Sequence, residues 1–256
     1  MRPAALALAA LLAVPAAPAR AASTVLGSQD FNIIVGYKLW ANNWLTWIDG
    51  TATNPRYESI SMSGIANNIN TTLRYKRVFT NLGYMATSEY EFPRYRNAAG
   101  TYIDARAKRA EVDWNLGFMA VPQLGFTVGV KSVEQKWRTR SNAVAGAGTF
   151  GPTLKYNWTG PTAGIVGSGA IGKGFSIYGN GAGGIMNVTL DGSDIGSAGY
   201  ESAELGLAWK AQSVPFSGSF GYKFQRISTK LDRSGFAEMR GNDVTSGYVL
   251  GLNLVF

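Results

Sequence analysis

The chain has 256 residues, of which 46% are hydrophobic and only 16% are charged, and its formal net charge is +8. An average soluble domain carries roughly 25% charged residues and about 7% glycine, whereas this chain is poorer in charge and contains 32 glycines. It has neither cysteine nor histidine, which excludes disulfides, thiolate nucleophiles and the most common general base and metal ligand. We therefore expect no metal and no cofactor.

The first 21 residues have the features of a secretory signal peptide. A positive charge at Arg2 is followed by an apolar stretch at 4–14, and residues 19–21 read A-R-A, which is the pattern of a cleavage site. The apolar stretch is shorter than the ~20 residues of a transmembrane helix. The sequence therefore predicts a signal peptide at 1–21 and one mature domain at 22–256.

The recurring pattern after residue 22 is alternation with a period of two. In 110–119, for example, the even positions from 112 hold Val, Trp, Leu and Phe, and the odd positions from 111 hold Glu, Asp, Asn and Gly. Such alternation predicts half-buried β-strands. A soluble sandwich alternates as well, but here bulky aromatics occupy one parity and tight turns alternate with longer polar loops. That combination is typical of an outer-membrane barrel.

Ten strands fit the pattern. They are predicted at 31–48, 59–76, 80–92, 105–120, 123–138, 149–170, 173–190, 199–212, 215–231 and 244–256. Longer loops are predicted near 49–58, 93–105, 139–147, 191–199 and 232–243. The predicted fold class is all-β, a transmembrane antiparallel up-and-down β-barrel with both termini at the periplasmic end. The Gly-rich region 149–190 alternates poorly, so eight or twelve strands are left as alternatives.

The last strand carries a pattern of its own. Every second residue counted back from the C-terminus is apolar or aromatic: Phe256, Leu254, Leu252, Leu250 and Tyr248. This pattern resembles the C-terminal assembly signal of bacterial outer-membrane β-barrel proteins, in which a terminal Phe closes the last strand. The resemblance covers the whole chain and does not identify a subfamily. It implies a Gram-negative outer membrane, and as partners the barrel-assembly machinery, outer-membrane lipid and lipopolysaccharide.

The strand parity opposite to the apolar one is predicted to face the lumen, and it carries charges of both signs. These residues are Lys38, Arg74, Glu89, Glu91, Glu111, Asp113, Lys131, Lys155, Glu204, Lys210 and Lys223. One interpretation is a charged constriction that selects solutes. The other is an ion-pair network that fills a narrow lumen, because facing charges of opposite sign are expected to pair. The near balance of acids and bases favours the network.

Basic residues also cluster around the second and third predicted loops. They are Arg94, Arg96, Arg106, Lys108, Arg109, Lys136, Arg138 and Arg140. We expect contacts with lipopolysaccharide phosphates, which the planar guanidinium group matches well, and solvated loops are the alternative. Nucleic acid is not expected as a partner, because the positive charge forms no compact basic motif. Trp44, Trp47, Trp137 and Trp209 are candidates for interfacial aromatic girdles.

Catalysis is not expected from this sequence. The known ten-stranded catalytic barrels, the omptin proteases, depend on a histidine, which this chain lacks. The pairs Glu89/Glu91 and Glu111/Asp113 could act as paired carboxylates, but alternating lumen positions explain them more simply. The function predicted is a small porin-like protein, either a narrow passive channel or a membrane-structural barrel. The alternative is a surface barrel that binds ligands through its extracellular loops.

Overall fold

A computed structural model describes residues 30–48, 57–96, 102–140, 150–211, 214–233 and 239–256. These residues form eleven β-strands. The strands are β1 (Phe31–Ile48), β2 (Tyr57–Ile60), β3 (Gly64–Tyr75), β4 (Val78–Arg96), β5 (Tyr102–Val121), β6 (Leu124–Arg140), β7 (Leu154–Gly172), β8 (Phe175–Leu190), β9 (Ser193–Lys210), β10 (Phe216–Leu231) and β11 (Met239–Val255). Within this part of the chain, no helix is long and apolar enough to cross a membrane.

The strands form one closed antiparallel sheet. β11 pairs with β1 along the whole length from Ile34↔Val255 to Ile48↔Gly241, which closes the barrel. β2 pairs with β1 only at Leu45–Ile48, and β3 pairs with the earlier part of β1. β2 and β3 therefore make a single pass that is interrupted at 61–63, and the barrel has ten passes. The predicted ten-stranded all-β barrel is confirmed against the eight- and twelve-stranded alternatives.

The two ends of the barrel differ in their connections. Two-residue turns join β3 to β4, β5 to β6 and β7 to β8 at the end that also holds the start of β1 and the end of β11. In outer-membrane barrels the short turns mark the periplasmic end. Apart from β2 and β3, the strands have 16–20 residues, more than the ~9–11 that cross a bilayer. They therefore extend beyond it at the opposite, extracellular end.

Four of the five extracellular connections are shorter than the sequence predicted, and the one between β6 and β7 is longer, because β7 begins only at Leu154. The predicted loop at 191–199 is wrong, because β9 begins at Ser193 and only Asp191 and Gly192 separate it from β8. The φ angles of these two residues are 48° and 90°. Positive φ at both central positions is typical of the tight hairpin turn whose twist matches that of the paired strands. β4, β5 and β11 likewise extend into the predicted loops at 93–105 and 232–243.

The outside face of the barrel is an apolar band. Large apolar side chains alternate along the strands and point away from the lumen, such as Trp114 and Phe118 on β5 and Phe126 on β6, all about half exposed. The alternating residues of the last strand belong to the same band: Tyr248, Leu250, Leu252, Leu254 and Phe256. Phe256 also exchanges two backbone hydrogen bonds with Ile33 of β1, which extends the closing seam to the last residue.

The core of the protein lies inside the barrel. Toward the extracellular end the lumen is filled by apolar side chains, which form clusters around Trp44 and Phe92 on one side and around Trp158 and Ile195 on the other. Charged side chains occupy the middle of the lumen. Toward the periplasmic end the lining changes to Asn, Ser and Thr, and open space remains. The lumen therefore has a packed half and an open half.

Candidate functional site

An ion network centred on Glu111 of β5 spans the middle of the lumen. Its Oε1 accepts hydrogen bonds from Arg109 Nε at 2.8 Å and from Gln225 Nε2 of β10 at 3.0 Å. Its Oε2 lies 2.7 Å from Lys131 Nζ of β6. Arg109 Nη1 in turn donates to Thr245 Oγ1 of β11 at 2.8 Å. The network therefore connects β5 and β6 with the opposite wall of the barrel.

This network is shielded from water. Arg109, Glu111 and Lys131 are only 1%, 3% and 4% exposed. Ions removed from water are tolerated when each has partners of opposite charge and its hydrogen bonds are made. Here two cations face one fully bonded carboxylate, and Asp113 lies 3.7 Å from Lys131 as a second carboxylate. The arrangement can hold charge in the lumen without water.

A second ion pair lies closer to the periplasmic end. Lys38 Nζ of β1 is 2.7 Å from Glu204 Oε1 of β9. The same oxygen accepts a hydrogen bond from the Tyr178 hydroxyl of β8 at 3.0 Å. Because β1 and β9 are separated by two strands in the sheet order, this pair also bridges across the lumen.

Aromatic side chains close the lumen above the ion network. Trp44 of β1 and Trp137 of β6 meet with ring centroids 5.0 Å apart, although their strands lie on opposite walls. Trp44 also packs edge-to-face on Tyr90 and Phe92 of β4. Its Nε1 donates to Asp243 Oδ1 of β11 at 3.1 Å, so the plug is fixed by hydrogen bonds as well as by packing.

Two adjoining cavities occupy the periplasmic half of the lumen. The upper one has a volume of about 340 Å³ and reaches up to Lys131 and Trp40. The lower one has about 300 Å³ and reaches Trp209 and Val255 near the periplasmic end. Both are bordered by Lys38, Asn70 and Thr72. Among the described residues, no group of acidic side chains is arranged to hold a metal ion.

Most of the charges predicted to face the lumen lie on the lumen side of their strands. Eight residues do so: Lys38, Arg74, Glu111, Asp113, Lys131, Glu204, Lys210 and Lys223. The structure brings Glu111, Asp113 and Lys131 together in one network and joins Lys38 to Glu204. Arg74 lies apart, at the periplasmic mouth, where its Nε donates to the Lys76 carbonyl.

Glu89 and Glu91 were wrongly predicted to face the lumen. A β-bulge between Met85 and Ser88 shifts the register of β4 against β5, and an extra residue reverses which parity points inward. Tyr90 and Phe92 consequently face the lumen, and the side chains of Glu89 and Glu91 point outside and are 55% and 53% exposed.

Lys155 and Arg109 were also wrongly placed. Lys155 belongs to the outside face of β7, where its Nζ lies 2.8 Å from Glu134 Oε2. The even positions of β7, such as Tyr156 and Trp158, face the lumen, and Lys155 occupies an odd position. Arg109, predicted to contact lipopolysaccharide, is buried in the lumen network, so it cannot reach lipid. Arg109 is two positions before Glu111 on the same strand, and this shared parity was the signal that could have predicted its position in the lumen.

Five of the other predicted lipopolysaccharide contacts, together with the misplaced Lys155, form an outside-facing basic strip at the extracellular end. We define this basic strip as Arg106, Lys108, Lys136, Arg138, Arg140 and Lys155. The guanidinium carbons of Arg106, Arg138 and Arg140 lie 5.0, 5.9 and 5.6 Å from the centroid of the Phe150 ring. Arg94 and Arg96 belong to β4, but their side chains lie outside the described part of the structure.

Four acidic residues partly neutralise the basic strip. Arg106 pairs with Glu91 at 3.0 Å, and Lys108 with Glu89 at 3.8 Å. Arg140 pairs with Asp104 at 2.8 Å, and Glu134 lies 2.8 Å from both Lys136 and Lys155. Six bases against four acids leave an excess of positive charge on one side of the barrel.

Two of the predicted girdle tryptophans lie inside the barrel instead. Trp44 and Trp137 belong to the aromatic plug, whereas Trp47 and Trp209 lie on the outside-facing parity of their strands. The polar partners Gln135, Gln225, Asp243 and Thr245 were missed, although all are buried in the lumen. Their lumen-facing parity was readable from the sequence, but their meeting across the barrel was not.

Comparisons with known proteins identify the fold. No protein-family model matches the sequence, and no curated protein sequence matches it. The chain is similar to the solved structure of the outer membrane protease OmpT from Escherichia coli, with a TM-score of 0.54 and 13% identity over 88% of this chain and 97% of that one. The chain has the fold of the bacterial outer-membrane β-barrels.

Two further similarities are weaker. The P. putida toluene transporter TodX matches with a TM-score of 0.36 and 8% identity over 92% of each chain. Ail, the attachment invasion locus protein of Yersinia pestis, matches with a TM-score of 0.36 and 10% identity over 88% of this chain and 99% of that one. These TM-scores are too low to support an argument about function.

The expectation that the chain is not an enzyme is corrected by the first of these similarities. OmpT is an outer membrane protease, so a barrel of this fold can carry an active site. At 13% identity the likeness extends to the fold and assigns no activity to this chain. The absence of histidine and cysteine therefore does not exclude catalysis by this chain.

Proposed function

We propose that this chain is exported through a signal peptide at 1–21 and serves in the outer membrane as a structural barrel with a closed lumen. The observation that carries the proposal is the near-complete burial of Arg109, Glu111 and Lys131 in the middle of the lumen. A conducting pore needs a continuous path of water past its charges. The narrow-channel form of the porin-like prediction is therefore less well supported than the structural form.

The packing above the ion network supports the same conclusion. Trp44 and Trp137 meet from opposite walls, and Trp158 Nε1 of β7 donates to Thr229 Oγ1 of β10 across the other half of the lumen at 3.0 Å. Side chains that fill a small barrel stabilise it as a core would. The adhesive alternative depends on loop residues such as 49–56 and 141–149, which lie outside the described part of the structure.

Reconstitution into planar bilayers tests the closed lumen. We expect no stepwise current from the purified barrel, because the ion network and the plug leave no water path. Insertion of the protein is checked independently by flotation with vesicles of the same lipid and by a heat-dependent shift in gel mobility. Stepwise currents from inserted barrel would contradict the proposal and would restore the narrow channel.

We further propose that the basic strip binds the phosphates of lipopolysaccharide. Three arginines converge on Phe150 at the extracellular end of the outside face, where lipid headgroups meet the barrel. Arginine presents two parallel N–H donors that match phosphate oxygens. The Arg138 guanidinium strengthens the case, because it contacts Phe150 without a carboxylate partner among the described residues.

The test compares two triple variants, each of which removes three positive charges from the extracellular end of the barrel. The triple variant Arg106→Ala, Arg138→Ala and Arg140→Ala is expected to carry at most about half of the lipopolysaccharide that copurifies with the unaltered barrel, because the remaining phosphate contacts are few. Phosphate per barrel, measured after detergent extraction, gives the readout. The control triple Arg226→Ala, Lys230→Ala and Arg233→Ala removes the same charge near the extracellular end of β10. Equal losses from both triples would show a general charge effect and would contradict a site at the basic strip.

A further inference from the structure

We propose that the periplasmic half of the lumen is a binding site for a small organic or inorganic anion, with Lys223 and Trp40 as its central residues. The ligand is identified by its chemistry as a carboxylate- or phosphate-bearing solute that enters from the periplasmic end. The site goes beyond the closed lumen proposed above and does not depend on it, since a conducting barrel could hold the same anion.

The first observation is the space itself. The upper cavity, at about 340 Å³, falls in the ~300–1,000 Å³ range of sites for small molecules. It ends at the ion network toward the extracellular side and adjoins the lower cavity toward the periplasmic side, through the shared lining residues Lys38, Asn70 and Thr72. The two cavities are therefore neighbours, and the ion network closes the upper one toward the extracellular end.

The second observation is that the ammonium of Lys223 on β10 lacks a direct anionic contact. Its ammonium lies 4.3 Å from the centroid of the Trp40 ring and forms no ion pair or hydrogen bond with any residue that the structure describes. The other lysines of the upper cavity, Lys38 and Lys131, are each 2.7 Å from a carboxylate. Glu111, Glu204 and Asp113 attract the Lys223 ammonium from beyond ion-pair distance. Its direct contacts, which a partly buried ion needs, are therefore left for an anion or water to supply.

The third observation is the Trp40 indole, which lines the same cavity and is 1% exposed. Its Nε1 has no acceptor among the described residues. Buried donors of this kind are normally hydrogen-bonded. Trp40 therefore contributes its ring face, against which the Lys223 ammonium sits, whereas its N–H is buried and is not open to the cavity. The Lys223 ammonium is the donor with free capacity on this wall.

The charge of the whole compartment points the same way. Four lysines border the two cavities, Lys38, Lys131, Lys210 and Lys223, and three carboxylates oppose them: Asp113 and Glu204 in the walls and Glu111 against Lys131. The remaining lining is rich in carboxamides, which can donate to anion oxygens. These are Asn68, Asn70, Asn81, Asn115, Asn180 and Asn253. A compartment with excess positive charge and many N–H donors favours a small anion over a neutral solute or a cation.

Calorimetric titration of the folded barrel with succinate, inorganic phosphate and neutral succinamide tests the site. We expect saturable binding of succinate, phosphate or both, and none of succinamide, because a charge-assisted hydrogen bond to Lys223 is lost with the amide. Which of the two anions binds distinguishes carboxylate from phosphate solutes. Lys223→Gln is expected to weaken binding about tenfold or more. Lys108→Gln, which removes the same charge from the outside face, is expected to leave binding unchanged.

Three results would overturn the site: no saturable binding of either anion, equal binding of succinate and succinamide, or equal weakening by both lysine variants. If Lys223→Gln does not fold, crystals of the unaltered protein soaked in bromide test whether Lys223 binds an anion. A bromide ion within hydrogen-bond distance of Lys223 Nζ supports the site. Bromide bound only on the outside face contradicts it.

Discussion

At the scale of single residues, Glu111 is the side chain on which most of the lumen depends. Its two oxygens satisfy Arg109, Lys131 and Gln225, which come from three different strands. Water cannot replace Glu111 as a partner, because all three side chains are at most 4% exposed. Loss of the carboxylate would therefore leave two cations without their main counter-charge in a dry environment.

The variant Glu111→Gln measures this dependence. We expect the free energy of unfolding to fall by about 3–5 kcal/mol, because removing one partner of a buried ion pair leaves uncompensated charge. Urea unfolding in lipid vesicles, followed by tryptophan fluorescence, gives the value. Glu89→Gln is the matched control on the outside face, where an exposed pair contributes only ~0–1 kcal/mol. Similar losses for the two variants would contradict the role given to Glu111.

At the scale of elements, the hairpin of β8 and β9 shows how a turn sets strand length. Asp191-Gly192 adopts positive φ at both positions, so the strands continue to the very end of the hairpin. The dipeptide Asp-Gly is a strong signal for such a turn. The composition of 191–199 indicated a polar loop instead, because its Ser and Gly residues continue past the turn into β9.

The substitution Gly192→Ala tests the turn. An L-residue held in the left-handed region costs roughly 1–2 kcal/mol, and the φ of Gly192 is +90°. Gly199→Ala is the control, because neither glycine has an atom within 4 Å of an added Cβ and only Gly192 has positive φ. We expect thermal unfolding to detect the loss in Gly192→Ala alone. An equally stable Gly192→Ala barrel would show that the turn tolerates another geometry.

At the scale of the whole molecule, the alternation of the sequence predicted ten passes because side chains of a half-buried strand must alternate between two environments. The same rule misplaced Glu89 and Glu91, since the bulge near Ala86 and Thr87 adds a residue without a signature in composition. Trp44 shares the parity of Lys38 on β1, so alternation already pointed it inward. Its residue type suggested a girdle instead, because an aromatic ring suits either face of this barrel.

Contacts across the lumen were beyond the reach of the sequence. Arg109 meets Thr245, 136 positions away, only because the curvature and stagger of the closed sheet bring β5 opposite β11. Sequence spacing carries no record of that stagger. The inward charges were therefore readable as a set, whereas the particular partners within the set were not, and neither was the unpaired state of Lys223.

The cross-lumen network also has a consequence for the order of assembly. Glu111 and Arg109 are translated early, but Gln225 and Thr245 belong to the last two strands, and β11 is the strand that joins β1. Until that seam forms, the charges on β5 face an unfinished wall and stay hydrated. Closing the seam and shielding the ion network from water are therefore coupled, since a chain without β11 lacks Thr245 and the wall that covers Arg109.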